Sequence, residues 1–167
     1  MNNLPGYHLA ELNVGRLLAP TDDPRVAEFM GALDRVNGLG KRMPGFVWMM
    51  EGSGEPGTGN TEAKIGDDAQ FVSNLTVWET AAALKSFVFG TVHRVFYERR
   101  AEWFEVLGEM HFVMWWVQVG HKPSLEEALA RLADVQANGD TDRAFGWSYL
   151  KEAQGMQIRS CAPMAAE

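Results

Sequence analysis

The chain has 167 residues, one domain's worth, of which 46% are hydrophobic and 22% charged; this is ordinary globular usage and excludes a disordered, collagen-like or disulfide-stapled chain. The formal net charge is −7, and the one basic concentration, Arg94, Arg99 and Arg100, is interrupted by Glu98 and Glu102, so the footprint that neutralises nucleic-acid phosphates is missing. Six Trp, nine Phe, three Tyr and nine Met make a large aromatic and thioether surface, which must fill a core, line a pocket or form a subunit interface.

The first predicted element is a strand over Tyr7 to Val14, with His8, Ala10, Leu12 and Val14 on one face and Tyr7, Leu9, Glu11 and Asn13 on the other. Asp23 and Pro24 then suit the cap and first position of a helix. Val26, Phe29, Met30, Leu33 and Val36 recur at its spacing, and Asn37–Gly38 and Gly40 end it. Pro44–Gly45 turns into a second strand, Phe46 to Met50. The glycine-rich stretch 51–69 reads as a mobile loop and candidate lid; it lacks the Gly-Lys-Ser/Thr of a phosphate-binding loop. A third strand, Phe71 to Trp78, leads into a helix capped by Thr80, and Gly90–Thr91 separates that helix from a second run, Val92 to Phe104.

The fourth strand, His111 to Val119, is apolar on both faces. A strand with one wet face would alternate apolar with polar. Ser124 and Glu127 form a capping box ahead of the stripe Leu125, Leu129, Leu132 and Val135. The order strand, helix, strand, strand, helix, strand, plus a final helix, is a ferredoxin-like α+β pattern: a four-stranded antiparallel sheet with helices on one face. Residues 1–147 form this single domain, and 148–167 are a partly flexible extension. The doubly apolar fourth strand asks for cover on its second face. In so short a chain a second copy of the sheet in a twofold homodimer would supply it.

A single cysteine, Cys161, permits no internal disulfide and fits a reducing, cytoplasmic setting. The start, Met-Asn-Asn-Leu-Pro-Gly, has neither the basic nor the apolar part of a secretory signal. The longest apolar run, Phe112 to Val117, is far short of the ~20 residues that span a membrane, so no membrane partner is expected.

Asn74-Leu75-Thr76-Val77-Trp78-Glu79-Thr80, an apolar helix, His93 and Arg99-Arg100-Ala101-Glu102-Trp103-Phe104 form one constellation. His111-Phe112-Val113-Met114-Trp115-Trp116-Val117 with Gly120-His121-Lys122-Pro123 forms another. Together, over roughly residues 7–147, they resemble an uncharacterised bacterial domain family of the dimeric α+β barrel superfamily, which includes antibiotic-biosynthesis monooxygenases and small haem-degrading monooxygenases. The resemblance implies a dimeric α+β barrel. It also implies a substrate cavity beside an Asn-x-x-x-Trp pair, which Asn74 and Trp78 match. The haem-degrading members carry a Trp-Glu-Ser-like strand end, similar to Trp78-Glu79-Thr80, and a helical iron-binding histidine, for which His93 is the counterpart across a longer gap.

Asn74 and Trp78 are four apart on one strand and share a face. They would hold a polar group and stack an aromatic ring, or serve as a structural amide and a core indole. His93 and Tyr97, at i and i+4 on a helix, would manage protons or bind iron, with Arg94 nearby, or be a helix-start histidine and a half-buried phenol. Arg99 over Trp103 makes a structural cation–π pair. His111 and Trp115 share a face of the fourth strand and would line a cavity or a dimer seam. No His-Glu-x-x-His or His-x-His motif suggests a metal, and no Gly-x-Ser-x-Gly elbow suggests a serine hydrolase. The expected function is a small-molecule enzyme, monooxygenase-like and cofactor-independent, acting on an apolar or aromatic metabolite. The alternatives are a haem protein through His93 and a non-catalytic ligand-binding or dimeric interaction protein.

Overall fold

Short-range chemistry sets the element ends. The Asp23 side chain accepts from the Arg25 amide at 2.9 Å and starts a 3-10 turn, Pro24–Val26, that feeds α1 (Ala27–Gly40). Thr80 Oγ1 accepts from the Ala83 amide at 3.0 Å and caps α2 (Ala81–Gly90). Ser124 Oγ accepts from the Glu127 amide at 3.1 Å and caps α4 (Leu125–Asn138). Only this half of the predicted capping box forms, because the Glu127 carboxylate turns instead to Trp115 and His121.

The computed structural model describes residues 4–52, 65, 68–108 and 111–150. Most of the 51–69 loop with its proposed lid role, and the extension beyond Leu150 with Cys161, lie outside the described residues. The strands are β1 (Tyr7–Arg16), β2 (Phe46–Met49), β3 (Phe71–Trp78) and β4 (Phe112–Gln118), in one open antiparallel sheet of order β2-β3-β1-β4. This is the expected ferredoxin-like α+β sheet. The predicted helical run from Val92 to Phe104 is shorter: α3 covers His93–Glu98, followed by a 3-10 turn at Arg100–Glu102. The chain turns back there to bury Trp103 against Phe29 and Phe96, and its backbone bonds to β1 and the residues after it through Leu18 N to Trp103 O and Glu105 N to Arg16 O, each 2.9 Å.

The expectation that all helices lie on one face is corrected. The face carrying Leu9, Trp78 and Met114 packs against Ala32 and Val36 of α1 and Ala81, Leu84 and Phe87 of α2. The face carrying Ala10, Leu12, Val14, Leu75, Val77, Val113, Trp115 and Val117 packs against Ala128, Leu132 and Val135 of α4. The last helix therefore supplies, within one chain, the cover that the sequence assigned to a second subunit's sheet, and the apolar face by itself no longer requires a partner. Beyond α4, Phe145 exchanges two backbone hydrogen bonds with Met114, at 2.7 and 2.9 Å. Trp147 then stacks on Phe112 at 5.9 Å, so the chain rounds the β4 edge from the α4 side to the α1/α2 side. Among the described residues no helix is long and apolar enough to cross a membrane.

Leu132→Ala tests this two-sided packing. Leu132 is 7% exposed within the α4-side core, so truncation should cost about 2–5 kcal/mol in urea denaturation. A cost below about 0.5 kcal/mol, the usual range for a surface substitution, would remove α4 from this face.

Candidate functional site

Register brings four polar side chains together on the face beneath α1 and α2. Glu11 lies opposite Thr76, and Asn13 opposite Asn74, on the two central strands. Because successive residues of a strand alternate sides, all four point the same way as Leu9 and Trp78. Phe112 and Met114 of β4 flank the block, opposite Asn13 and Glu11. Glu11 is 5% and Thr76 2% exposed. Asn13 and Asn74 are only half-buried, so the block opens to solvent at their end.

A directed relay runs through the buried half. Trp78 Nε1 donates to Thr76 Oγ1 at 2.9 Å, and Thr76 Oγ1 donates to Glu11 Oε1 at 3.0 Å. Burial disfavours the charged form of the carboxyl, and only the Thr76 bond works against it; the Glu11 pKa is pushed up to about 8. The carboxyl is thus mainly protonated at neutral pH, a state in which it can donate as well as accept.

Aromatic contacts extend from Trp78. Its ring stacks on Phe87 at 5.3 Å and meets the edge of Phe46 at 5.4 Å. Phe87 leans on the His93 imidazole at 4.9 Å. His93 Nδ1 lies 3.3 Å from the Val88 carbonyl oxygen. A carbonyl only accepts, so Nδ1 carries the proton and Nε2 is the basic nitrogen of the neutral ring. Burial lowers the His93 pKa, partly offset by that bond.

The structure thus places Asn74 and Trp78 on one face of β3, as their spacing predicted, with Thr76 between them, and joins His93 to Trp78 through Phe87. It does not gather the other candidates there. Arg94 is exposed and pairs with Glu98 at 2.7 Å. Tyr97 is exposed, meeting the ring of Phe89 edge-on at 5.7 Å with the Arg100 guanidinium 4.7 Å above its own ring. His111 is exposed and lies just ahead of β4. Trp115 is buried on the opposite face, where its Nε1 donates to Glu127 Oε1 at 3.1 Å. Arg99 lies over Trp103 at 4.8 Å, as expected. Among the described residues no group of three or more His, Cys, Asp or Glu is placed to hold a metal. An open groove of about 430 Å³ at the β2 edge is lined by Lys41, Phe46, Trp48, Glu51 and Lys122, and by none of the polar block.

Sequence reasoning passed over Glu11. The signal was there: an acid on a central-type strand, between Ala10 and Leu12 and two residues from Leu9. Its partner Thr76 is 65 residues away and becomes visible only through the register.

The raised Glu11 pKa predicts a pH dependence with a definite sign. Below about pH 4.5 the carboxyl is protonated in folded and unfolded chains alike. Between that pH and about 8 the unfolded chain releases the proton and the folded one keeps it, so stability falls as pH rises, by on the order of 4 kcal/mol, and levels off above pH 8. His93, with its pKa lowered by burial, acts in the opposite sense within this window. The difference between wild type and Glu11→Gln isolates the carboxyl. Urea denaturation at pH 5, 6.5 and 8 should show that difference changing steadily with pH; a constant difference would mean that Glu11 titrates normally.

Two crystal structures are similar to this chain at a low level. PA3566 from Pseudomonas aeruginosa is 11% identical with a TM-score of 0.45, the match covering 70% of this chain and 97% of that one. NE2512, a protein of unknown function from Nitrosomonas europaea, is 11% identical with a TM-score of 0.45, covering 71% and 95%. No curated protein matches the sequence. Residues 8–161 match the family described as Domain of unknown function (DUF3291), which is most of the chain and includes every residue of the polar block, and the protein therefore belongs to the DUF3291 family.

Proposed function

We propose that this chain is a small-molecule enzyme that takes an apolar or aromatic metabolite onto the α1/α2 side of its sheet and exchanges a proton with it through Glu11. One observation carries the reading: a carboxyl buried in an apolar layer, oriented by Thr76 and Trp78, beside two half-buried amides. Burying such a group opposes folding, and an apolar residue of similar size would serve a core better. Few convergent polar groups in an aromatic enclosure are also what a small-molecule site needs. Asn13 and Asn74 provide hydrogen-bonding groups at the open end, Phe112 and Met114 provide apolar walls, and Glu11, poised near working pH, provides the proton. The sequence resemblance to α+β barrel monooxygenases supports the same side of the sheet for the substrate. Self-association as a homodimer remains compatible with this site, which one chain assembles by itself.

Thermal-shift measurements with 1-naphthol, 2-naphthol and simple hydroxyquinones test the reading. At least one should raise Tm by several degrees in wild type at saturation, with the rise at least halved in Asn13→Leu and in Thr76→Val. Equal rises in wild type and both variants would place binding elsewhere.

A second reading, haem held by His93, draws on the Nδ1 contact with the Val88 carbonyl. That bond fixes the tautomer in which Nε2 is the metal-binding atom, the usual arrangement of a ligating histidine. His93 Nε2 would hold the haem iron, with Phe87 packed against the imidazole. A bound haem would supply iron-based oxygen chemistry. Hemin added to the purified protein should then give a shifted Soret band that disappears in His93→Ala. A free-hemin spectrum in wild type ends this reading.

A further inference from the structure

The two edges of the sheet are finished differently. At the β4 edge, Phe145 takes up the backbone groups of Met114 in two hydrogen bonds, at 2.7 and 2.9 Å. At the other edge, β2 is the last strand among the described residues. Met50 N donates to Leu75 O at 2.9 Å, and successive residues of an antiparallel strand turn their backbone groups to opposite sides. The amide and carbonyl of Met49 therefore point away from β3, to the free edge. Groups placed in this way are a template for another extended segment.

The open groove of about 430 Å³ follows this edge, and its walls come from both faces of the sheet. Trp48 stands opposite Val77 and packs on the α4-side core, whereas Phe46 meets Trp78 on the α1/α2 side. Val47 is the extra residue of a bulge between them and is 37% exposed. Two cations border the groove. Lys41, just past α1, is paired with Glu51 at 2.5 Å. Lys122, exposed in the turn ahead of α4, enters no ion pair among the described residues.

We infer that the β2 edge is a docking site for an acidic, extended peptide segment of a partner protein, which adds to the sheet as a further strand beside β2. Charge selects the partner. The groove offers an unpaired ammonium on a chain whose net charge is −7, so a short acidic segment is attracted locally while a large polyanion is repelled by the rest of the molecule. Shape selects it as well. An open groove does not enclose a small molecule as a ligand pocket does, but it gives an extended chain the Met49 backbone along with side-chain contacts. A second copy of β2 fits poorly, because it would bring its own bulge and its own Lys122 to the edge, and bulges and lysines are devices that keep like edges apart. Side chains of the added strand alternate. Acids at every second position fall on the Trp48 side, toward Lys122, and the apolar residues between them fall on the Phe46 side.

The test uses the full-length protein and three peptides: fluorescein-Thr-Val-Glu-Val-Glu-Val-Thr-amide, the same peptide with lysine in place of glutamate, and the acidic peptide with its backbone amides N-methylated. By fluorescence anisotropy at low salt, the acidic peptide should bind at least tenfold more tightly than either of the others. That preference should shrink as salt is raised, since the pairing is solvent-exposed. Lys122→Glu, a surface change that should leave the circular dichroism native, should abolish the preference for the acidic over the lysine peptide. In amide hydrogen exchange followed by NMR, the Met49 amide should exchange freely in the protein alone and slow when the acidic peptide is added. Equal binding of the three peptides, no binding of the acidic one up to millimolar concentration, a preference that survives in Lys122→Glu, or a Met49 amide that the peptide leaves unchanged overturns the inference. A Met49 amide already protected in the protein alone overturns it too. The edge is then held by another segment of the same chain if sedimentation gives a monomer, or by a second copy if it gives a dimer.

Discussion

Strand β1 lies between β3 and β4 and is covered by helices on both sides, and this double burial is the constraint from which the rest follows. Its backbone groups are consumed by two ladders, and its side chains have no route to water except at the strand ends. Leu9, Ala10 and Leu12 are 0% exposed, which is how such a strand is normally filled. The two covers are built differently. On one side α4 lays a regular stripe, Ala128, Leu132 and Val135, across small and branched residues of three strands. On the other side α1 and α2 meet an irregular aromatic layer in which Trp78, Phe87, Phe145 and Met114 interlock. The regular side is a core in the ordinary sense. The irregular side holds the polar block.

Glu11 is the exception that the constraint makes costly. An ionised carboxylate cannot enter an apolar layer cheaply, so the group keeps its proton and takes one well-directed bond from Thr76. The exposed acids of the same chain behave in the opposite way. Asp23 is held well below the usual carboxylate range by its hydrogen bonds to Arg25, and Glu28 and Glu102 are lowered by Arg99. Those pairs lie at the surface, where ion pairs contribute little to stability. Environment alone separates one carboxyl from the others, and proton chemistry in a fold is organised by such separations.

Much of this was legible in the residues. The caps at Asp23, Thr80 and Ser124 acted where they were read. The strand count and order followed from the pattern, and the four-residue spacing of Asn74 and Trp78 put both on one face. Both faces of β4 are apolar, as its residues predict, and α4 covers one of them within the chain; which element would provide that cover is not written in the strand's own residues. Of the candidates on the fourth strand, Trp115 lies on the face away from Trp78 and His111 falls just ahead of the strand. Tyr97 and Arg94, grouped with His93 by helical spacing, stand at the surface of a helix too short to turn more than one side inward. Glu11 and Asn13 were passed over because a face of Tyr7, Leu9, Glu11 and Asn13 reads as half-wet when α1 and α2 are not yet in place.

The sequence by itself determined what depends on neighbours a few residues apart: where helices start and stop, which residues of a strand share a face, and that one strand needed covering twice. Only the tertiary structure decided which helix covers which face, that Glu11 stands opposite Thr76, and that a carboxyl in this chain keeps its proton near neutral pH. The reason is distance along the chain. Caps and alternation are local and leave their mark in adjacent letters, whereas pairing register and desolvation join residues as far apart as Glu11 and Thr76, separated by 65 positions, and exist only once the sheet has closed under its helices.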